Sequence, residues 1–379
     1  MFSPFSPVDI QILSREYALP VVSAWIQEAD GLCILATENM IERLHLGPFV
    51  KELINRHHGI WIKNVPSNPT VQDVSDALLS LASKRLTTIL VIGGGSAMDL
   101  SKAIAALHGL LSPSSLTADA VRQAILQKAY AAKESFVKLI AVPTTAGTGS
   151  EVTRWATVWD PDRKQKLSVD HICLFPKAAV IVPEFTAAMG PELTLSTGLD
   201  ALSHAMEAYW ANSSTPLSKA LALTAVDHIC GALPMAIAPE NKENLQIRET
   251  MCLGALIAGL SFSITRTTAC HAISYPLTML HGLPHGFAVA VTLSAVMKRN
   301  AAVLPQIQAL SDCLKKYGGL DTWLSRLTGA GKPLRLSAFG IKQVDLPAIA
   351  DLSFTAGRMD NNPIVFDKQQ VIAILQESL

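Results

Sequence analysis

"TTILVIGGGSAMDLSKAIAAL", residues 87 to 107, decides the fold. An apolar, β-branched run reaches three glycines and a serine without a break, and an Ala- and Leu-rich stretch with helical spacing follows at once. Such a strand, turn and helix read as part of a βαβ unit. Gly93, Gly94 and Gly95 let backbone N–H groups approach a ligand closely, and the N-terminus of the helix offers positive potential. A phosphate or pyrophosphate suits that spot. The spacing is not GxGxxG, and an unliganded turn can have the same composition.

Four more β-branched runs flank it: "GLCILAT" (31–37), "GIWIKNV" (59–65), "VKLIAVP" (137–143) and "AAVIVP" (178–183). Strands separated by helical patterns argue a parallel sheet with helices on both faces. From about residue 185 the alternation is largely gone, and the segments 196–212, 216–233, 244–264 and 286–303 read as helices. The expected organisation is an α/β dinucleotide-binding domain over 1–184 and a helical domain over 185–379, with the boundary near Pro183 to Pro191. "HGLLSPSSLTAD" (108–119) reads as a surface loop inside the first domain.

With 379 residues, 49% of them apolar and 16% charged, the chain suits about two globular domains. A net charge of zero favours neither a nucleic-acid partner nor an acidic membrane surface. The same scarcity of charge suits an apolar surface covered by a second subunit, hence a homodimer. Six cysteines are scattered without a CxxC pair, which indicates neither a disulfide scaffold nor a thiolate zinc site and fits a reducing cytoplasm. "MFSPFSPVDI" lacks the basic and apolar segments of a signal peptide, and apolar runs such as "TTILVIGGG" break well before about 20 residues, so no membrane span is expected.

A second loop, "AVPTTAGTGSEVT" (141–153), also follows a strand. Thr144, Thr145, Thr148, Ser150 and Thr153 offer donors for phosphate, ribose or carboxamide oxygens, or satisfy their own turn. Two such loops at strand C-termini point to a ligand, because open parallel sheets bind ligands in the crevice there. In "STGLDALSHAMEAYWA" (196–211), Asp200 and His204 lie four apart, one turn above the other on one helix face. They are a surface pair or two ligands of one metal, and their small and apolar neighbours favour a buried helix. Glu207 reads as a hydrogen-bond partner rather than a ligand. His271 and His285, in "HAISYPLTMLHGLPHG" (271–286), complete one carboxylate and three imidazoles. That set suits Fe²⁺ or Zn²⁺ and suits Mg²⁺ or Ca²⁺ poorly.

Together, "GGGSAMDLSKA", "PTTAGTGSEVT", "GLDALSHAMEAY" and "HAISYPLTMLHGLPHG" resemble, in order and spacing, the signatures of the iron-containing (group III) alcohol dehydrogenases, with "SNPT" (67–70) and "DNNP" (360–363) as weaker matches. The resemblance implies a Rossmann-like nucleotide-binding domain, an all-helical C-terminal domain and a metal and cofactor in the cleft between them. Asp200, His204, His271 and His285 match the metal ligands. Gly94, Gly95, Ser96 and Asp99 match the dinucleotide loop, and Thr144, Thr145, Thr148 and Thr153 the second cofactor loop. Glu38 falls where an acidic residue meets the adenosine ribose. A carboxylate there repels a 2′-phosphate, which favours NAD(H) over NADP(H). Lys166 matches a basic residue near the cofactor, with Lys164 as an equally placed competitor.

The implied activity is that of an NAD(P)-linked alcohol dehydrogenase or aldehyde reductase. Tyr275 stands where many members carry a second histidine, in "HAxxHxxG". Arg266 precedes His271 by a little more than one helical turn, close enough to face the cleft, and Arg154 follows "SEVT" directly. With Tyr275 they form the candidate substrate residues. "TRTTACHAISYPLT" and "EVTRWATVWD" look like the branch that contains phosphonoacetaldehyde reductases, whose product is 2-hydroxyethylphosphonate. A guanidinium holds a phosphonate through paired, charge-assisted hydrogen bonds, whereas an arginine that only caps or bridges a helix is the competing reading. A general short-chain alcohol dehydrogenase, a lyase like dehydroquinate synthase, and a non-catalytic nucleotide-binding scaffold are the alternatives. The histidine at 281, between two candidate ligands, reads as structural.

Overall fold

The structure, a computed structural model, describes residues 6–327, 334–355 and 357–379; the first five residues of the N-terminal segment discussed above lie outside it. The chain divides into two compact units, Met1–Thr145 with Ser150–Ala188, and Ala146–Gly149 with Met189–Leu379.

The first unit holds strands β1 (Asp9–Ile12), β2 (Leu32–Leu35), β3 (Ile60–Ile62), β4 (Thr88–Gly93), β5 (Lys138–Pro143), β6 (Trp155–Asp160), β7 (Gln165–Asp170) and β8 (Ala178–Ile181). Six of them form a parallel sheet in the order β1-β8-β5-β4-β2-β3, and β6 with β7 makes a separate antiparallel hairpin. Helices α1 (Arg15–Ile26), α2 (Glu38–Arg43), α3 (Gly47–His57), α4 (Val71–Leu81), α5 (Gly95–Leu107), α6 (Ala118–Leu126) and α7 (Pro183–Thr186) complete the unit. The five β-branched runs all lie in the sheet, and their continuous apolarity has a physical cause. Cys33, Leu35, Ile89, Val91, Leu139 and Ala141 feed one core with residues of α4, α5 and α6. Their chain neighbours Leu32, Ile34, Leu90, Ile92, Ile140 and Val142 feed another with α1 and α3. A parallel strand covered on both faces must be apolar at every position.

Three strands lie outside those runs. The edge strand β1, "DIQI", is half exposed and alternates polar with apolar residues. The hairpin reverses at a turn around Pro161, and Arg122 secures it by reaching Asp160 through Nε at 2.5 Å and Nη2 at 3.1 Å.

Among the described residues the second unit contains only helices: α8 (Pro191–Trp210), α9 (Pro216–Ala236), α10 (Leu245–Thr265), α11 (Ala269–His281), α12 (His285–Ala290), α13 (Leu293–Ala301), α14 (Ile307–Lys315), α15 (Leu320–Leu327), α16 (Leu346–Asp351) and α17 (Lys368–Glu377). The stretch 286–303 is thus two helices that part at Val291 and Thr292. By length and composition α10 is apolar enough to cross a membrane, a feature the apolar runs quoted from the sequence did not include. It packs along α8 and α9, so its apolarity serves the core of the helical unit. All six cysteines are unpaired.

Candidate metal centre and cofactor loops

Helix α8 carries Asp200, His204 and Glu207, spaced i, i+4 and i+7 and therefore on one face. That face is buried against α10 and α12. Glycines set the approach of the carriers: a Cβ at Gly286 would lie 1.7 Å from the carbonyl oxygen of Ser196, so α12 touches α8 backbone to backbone and brings His285 beside Asp200. Gly286→Ala must push the two helices apart. It is expected to destabilise the protein by about 1–3 kcal/mol and to weaken metal binding at least about tenfold, measured by urea denaturation and metal titration.

Asp200, His204 and His271 offer ligand atoms all within 4.8 Å of one another, and His285 joins them. From Asp200 Oδ1, the Nε2 atoms of His271, His204 and His285 lie at 3.5, 3.7 and 3.8 Å. Four ligands about 2.0–2.2 Å from a tetrahedral ion stand about 3.3–3.6 Å apart, so these gaps fit one small cation at their centre. Asp200 Oδ1 and His271 Nε2 are buried with no hydrogen-bond partner, which is costly unless an ion satisfies them. The donor set and the orphaned atoms therefore fit a divalent first-row metal. The His285 side chain is 33% exposed against 4–7% for the other three, so solvent reaches the cluster past His285.

Glu207 sets the orientation. Its Oε1 accepts from Thr268 N (3.1 Å), Thr268 Oγ1 (2.7 Å) and Cys270 N (2.8 Å), so a carboxylate caps the positive end of α11. Its Oε2 meets His271 Nδ1 in a short contact, which turns Nε2 toward Asp200. Burial alone would lower the His271 pKa, but the carboxylates of Glu207 and Asp200 hold it up at about 9. His204 goes the other way, to about 4: burial lowers it most, the Asp200 carboxylate opposes that, and the charges of His271 and His285 lower it further. Burial would raise the Asp200 carboxyl, yet the three imidazoles drag it well below the usual carboxylate range. Phe262 of α10 stacks on His204 at 4.1 Å, an apolar wall that sequence spacing does not disclose. Tyr275 lies parallel to His285 at 6.3 Å.

In the first unit β4 and β5 end side by side, Gly93 opposite Pro143, and Thr144 N donates to Gly93 O. The two loops thus leave neighbouring strands, and a Cβ on Gly94 would come within 3.1 Å of Thr145. Ser96 Oγ accepts from Asn68 N, which ties "SNPT" to the same turn. Gly94, Gly95, Ser96, Thr144 and Thr145 therefore cluster at the strand C-termini, while Thr148 belongs to the second unit. Asp99 is otherwise engaged: its oxygens accept from Ser150 Oγ and Thr157 N, so it braces the loop. Thr153 is also buried, accepting from Lys102.

Lys102 was not singled out by the sequence, where it is one polar residue in an Ala-rich helix. It is buried, and its ammonium donates to Ser150 O, Ser150 Oγ, Thr153 Oγ1 and Trp155 O at 2.6–3.1 Å; burial draws its pKa down to about 8. Burial raises the Asp99 carboxyl, and Lys166 on β7 is close enough to oppose that rise together with Lys102, whereas Lys164 is in the hairpin turn at φ +48°. Glu38 opens α2 just beyond β2, and Lys63 pairs with it at 2.8 Å.

The two arginines read as substrate residues differ. Arg154 pairs with Asp170 at 2.9 Å, across the base of the hairpin. Arg266 does not share a helix with His271, because α10 ends at Thr265 and Arg266 takes φ +62° before α11 begins. It nevertheless sits one turn past Phe262, whose carbonyl accepts its N–H at 2.7 Å.

A parallel α/β unit with two strand-end loops and a helical unit with an Asp/His₃ cluster define a metal-dependent, nucleotide-linked oxidoreductase. The model of iron-containing alcohol dehydrogenases matches residues 11–183, and that of the C-terminal part of the Fe-containing alcohol dehydrogenase family matches 194–379. The chain belongs to the iron-containing alcohol dehydrogenase family. It is 36% identical over 333 residues to a phosphonoacetaldehyde reductase of Streptomyces viridochromogenes, covering 83% of this chain and 82% of that one. Among solved structures, an iron-containing alcohol dehydrogenase superposes with a TM-score of 0.84 at 28% identity, over 100% of this chain and 99% of that one. The sulfoacetaldehyde reductase of Bifidobacterium kashiwanohense in complex with NAD⁺ gives 0.80 at 25%, over 100% and 98%.

Proposed function

We propose that this enzyme reduces phosphonoacetaldehyde to 2-hydroxyethylphosphonate, using NAD(H) in preference to NADP(H), with one Fe²⁺ or Zn²⁺ held by Asp200, His204, His271 and His285. The observation that carries the substrate is Arg266, a cation one helical turn beyond the phenylalanine that covers His204. The relatives named for two-carbon aldehydes with a phosphonate or sulfonate head support the same substrate class.

When bound, the ion supplies Lewis acidity toward the substrate oxygen and the nicotinamide supplies hydride. The chain's own residues do the rest. Glu207 keeps the His271 proton on Nδ1 and so leaves Nε2 as a donor to the ion. Phe262 and the buried neighbours of His204 keep water from that side of the cluster, which strengthens charge stabilisation there. The N–H groups at the start of α5, with Ser96, Thr144, Thr145 and Thr148, bind the dinucleotide, and Lys166 lies near it. Glu38 meets the adenosine ribose and disfavours a 2′-phosphate, an effect that Lys63 moderates. Arg266 takes the phosphonate, with Tyr275 lining the pocket beside His285; Arg154, paired with Asp170, has the lesser part.

The test is NADH and NADPH oxidation by the metal-loaded enzyme with phosphonoacetaldehyde and with propanal. Charge-assisted hydrogen bonds contribute about 1.5–3 kcal/mol each, so kcat/KM should favour phosphonoacetaldehyde by about one to two orders of magnitude. Arg266→Ala should remove most of that preference. Equal or better turnover of propanal by the native enzyme would reduce the assignment to a general short-chain alcohol dehydrogenase.

A further inference from the structure

Four lysine and arginine side chains are buried among the described residues: Lys102, Arg122, Arg248 and Arg358. Three of them find acceptors. Lys102 has four, Arg122 is held by Asp119 and Asp160, and Arg248 donates to Thr194 Oγ1 and to the carbonyls of Lys242 and Ala236. Arg358 is different. Only 8% of it is exposed, its Nη1 donates to the adjacent Gly357 carbonyl at 3.1 Å, its Nε has no partner, and no carboxylate among the described residues pairs with it. A buried guanidinium in that condition is costly unless an anion completes it.

The surroundings say which anion. Gly357 has φ +73°, a Cβ there would lie 3.3 Å from Arg266 Nη1, and its carbonyl accepts from Arg358 Nη1, so both guanidinium groups lie beside this glycine. Asn361 fixes the approach, donating through Nδ2 to Thr265 O at 2.8 Å and Thr267 O at 3.1 Å, the carbonyls on either side of Arg266. This clamp holds a non-glycine residue at φ +62°, a strained conformation that persists only when its surroundings enforce it. The turn Met359–Asn361 packs on α11, which carries His271, and Arg266 follows Phe262, which stacks on His204.

We propose that Arg358 and Arg266 form an oxyanion subsite beside the metal cluster that takes the tetrahedral head of the substrate, a phosphonate; the assignment rests on the phosphonoacetaldehyde reading. Two forked guanidinium groups suit an oxyanion with three acceptor oxygens. A neutral aldehyde leaves Arg358 without its anion, so the subsite selects by penalising the wrong substrate as well as by binding the right one.

The experiment compares native, Arg358→Ala and Arg358→Lys holoenzymes in three measurements: kcat/KM for phosphonoacetaldehyde relative to propanal, inhibition of propanal reduction by methylphosphonate, and the Kd for NADH. The expected result is a fall in the substrate ratio of at least about tenfold in Arg358→Ala and a smaller fall in Arg358→Lys. Methylphosphonate should compete with propanal in the native enzyme and at least about tenfold more weakly in Arg358→Ala. The lysine variant also serves if the alanine variant fails to fold. A native preference for phosphonoacetaldehyde that survives both variants would overturn the subsite and leave the substrate reading intact. Absence of that preference, with methylphosphonate inhibition that depends on Arg358, would sustain the subsite and overturn the substrate reading. Weaker NADH binding with an unchanged substrate ratio would give Arg358 to a cofactor phosphate and overturn the proposal.

Discussion

His271→Ala should abolish turnover while leaving NADH binding in place. The argument begins with what the side chain holds: Nε2 lies 3.5 Å from Asp200 Oδ1 in a cluster of four ligand atoms, and Nδ1 is fixed by Glu207. Removing one ligand of four leaves a carboxylate and two imidazoles, one of them the more exposed His285. A Lewis-acid metal lowers the barrier by several kcal/mol, so losing it should reduce kcat/KM by at least about three orders of magnitude. NADH should still bind, because Gly94, Gly95, Ser96, Thr144 and Thr145 belong to the other unit. Metal content per chain, NADH fluorescence titration and aldehyde turnover measure the three quantities separately. Full activity in His271→Ala would sink the metal assignment.

The parts that were legible in the sequence share a property: their signal is local. Strands buried on both faces are apolar at every residue, so β2, β4, β5 and β8 stand out, whereas the half-exposed edge "DIQI" has no such run. Asp200, His204 and Glu207 are spaced by turns of one helix, so their shared face follows from counting. Arg266 shows the opposite case. "SITRTTACHA" contains neither Gly nor Pro, and nothing within it announces a helix break at Arg266. The break is imposed from 96 positions away, where Asn361 takes the Thr265 carbonyl. Arg358 and Phe262 were equally hidden, because the contacts that give them meaning are tertiary. Asp99 and Thr153 match the loop motifs, yet their side chains face Ser150, Thr157 and Lys102.

Glu207→Gln should weaken metal binding by about 10–100-fold while the fold survives. The substitution keeps size and keeps one carbonyl oxygen, which can still accept from Thr268 N, Thr268 Oγ1 and Cys270 N at the start of α11. What changes lies at the other atom. The carboxylate oxygen that accepts from His271 Nδ1 becomes an NH₂ donor, so the imidazole must present a lone pair at Nδ1 and carry its proton on Nε2. A protonated Nε2 cannot coordinate the ion that Asp200, His204 and His285 share. The effect is therefore a tautomer switch, and nitrogen chemical shifts of the metal-free protein, recorded above the His271 pKa of about 9 where the imidazole is neutral, should show the proton moving from Nδ1 to Nε2. Glu207→Ala removes the helix cap as well, leaving Thr268 N, Thr268 Oγ1 and Cys270 N, besides His271, without their carboxylate acceptor at about 1–3 kcal/mol each. That variant should lose both stability and metal, by thermal unfolding and metal titration. Equal metal affinity in the native and Glu207→Gln proteins would mean that His271 is oriented by its packing against His204 and not by the carboxylate.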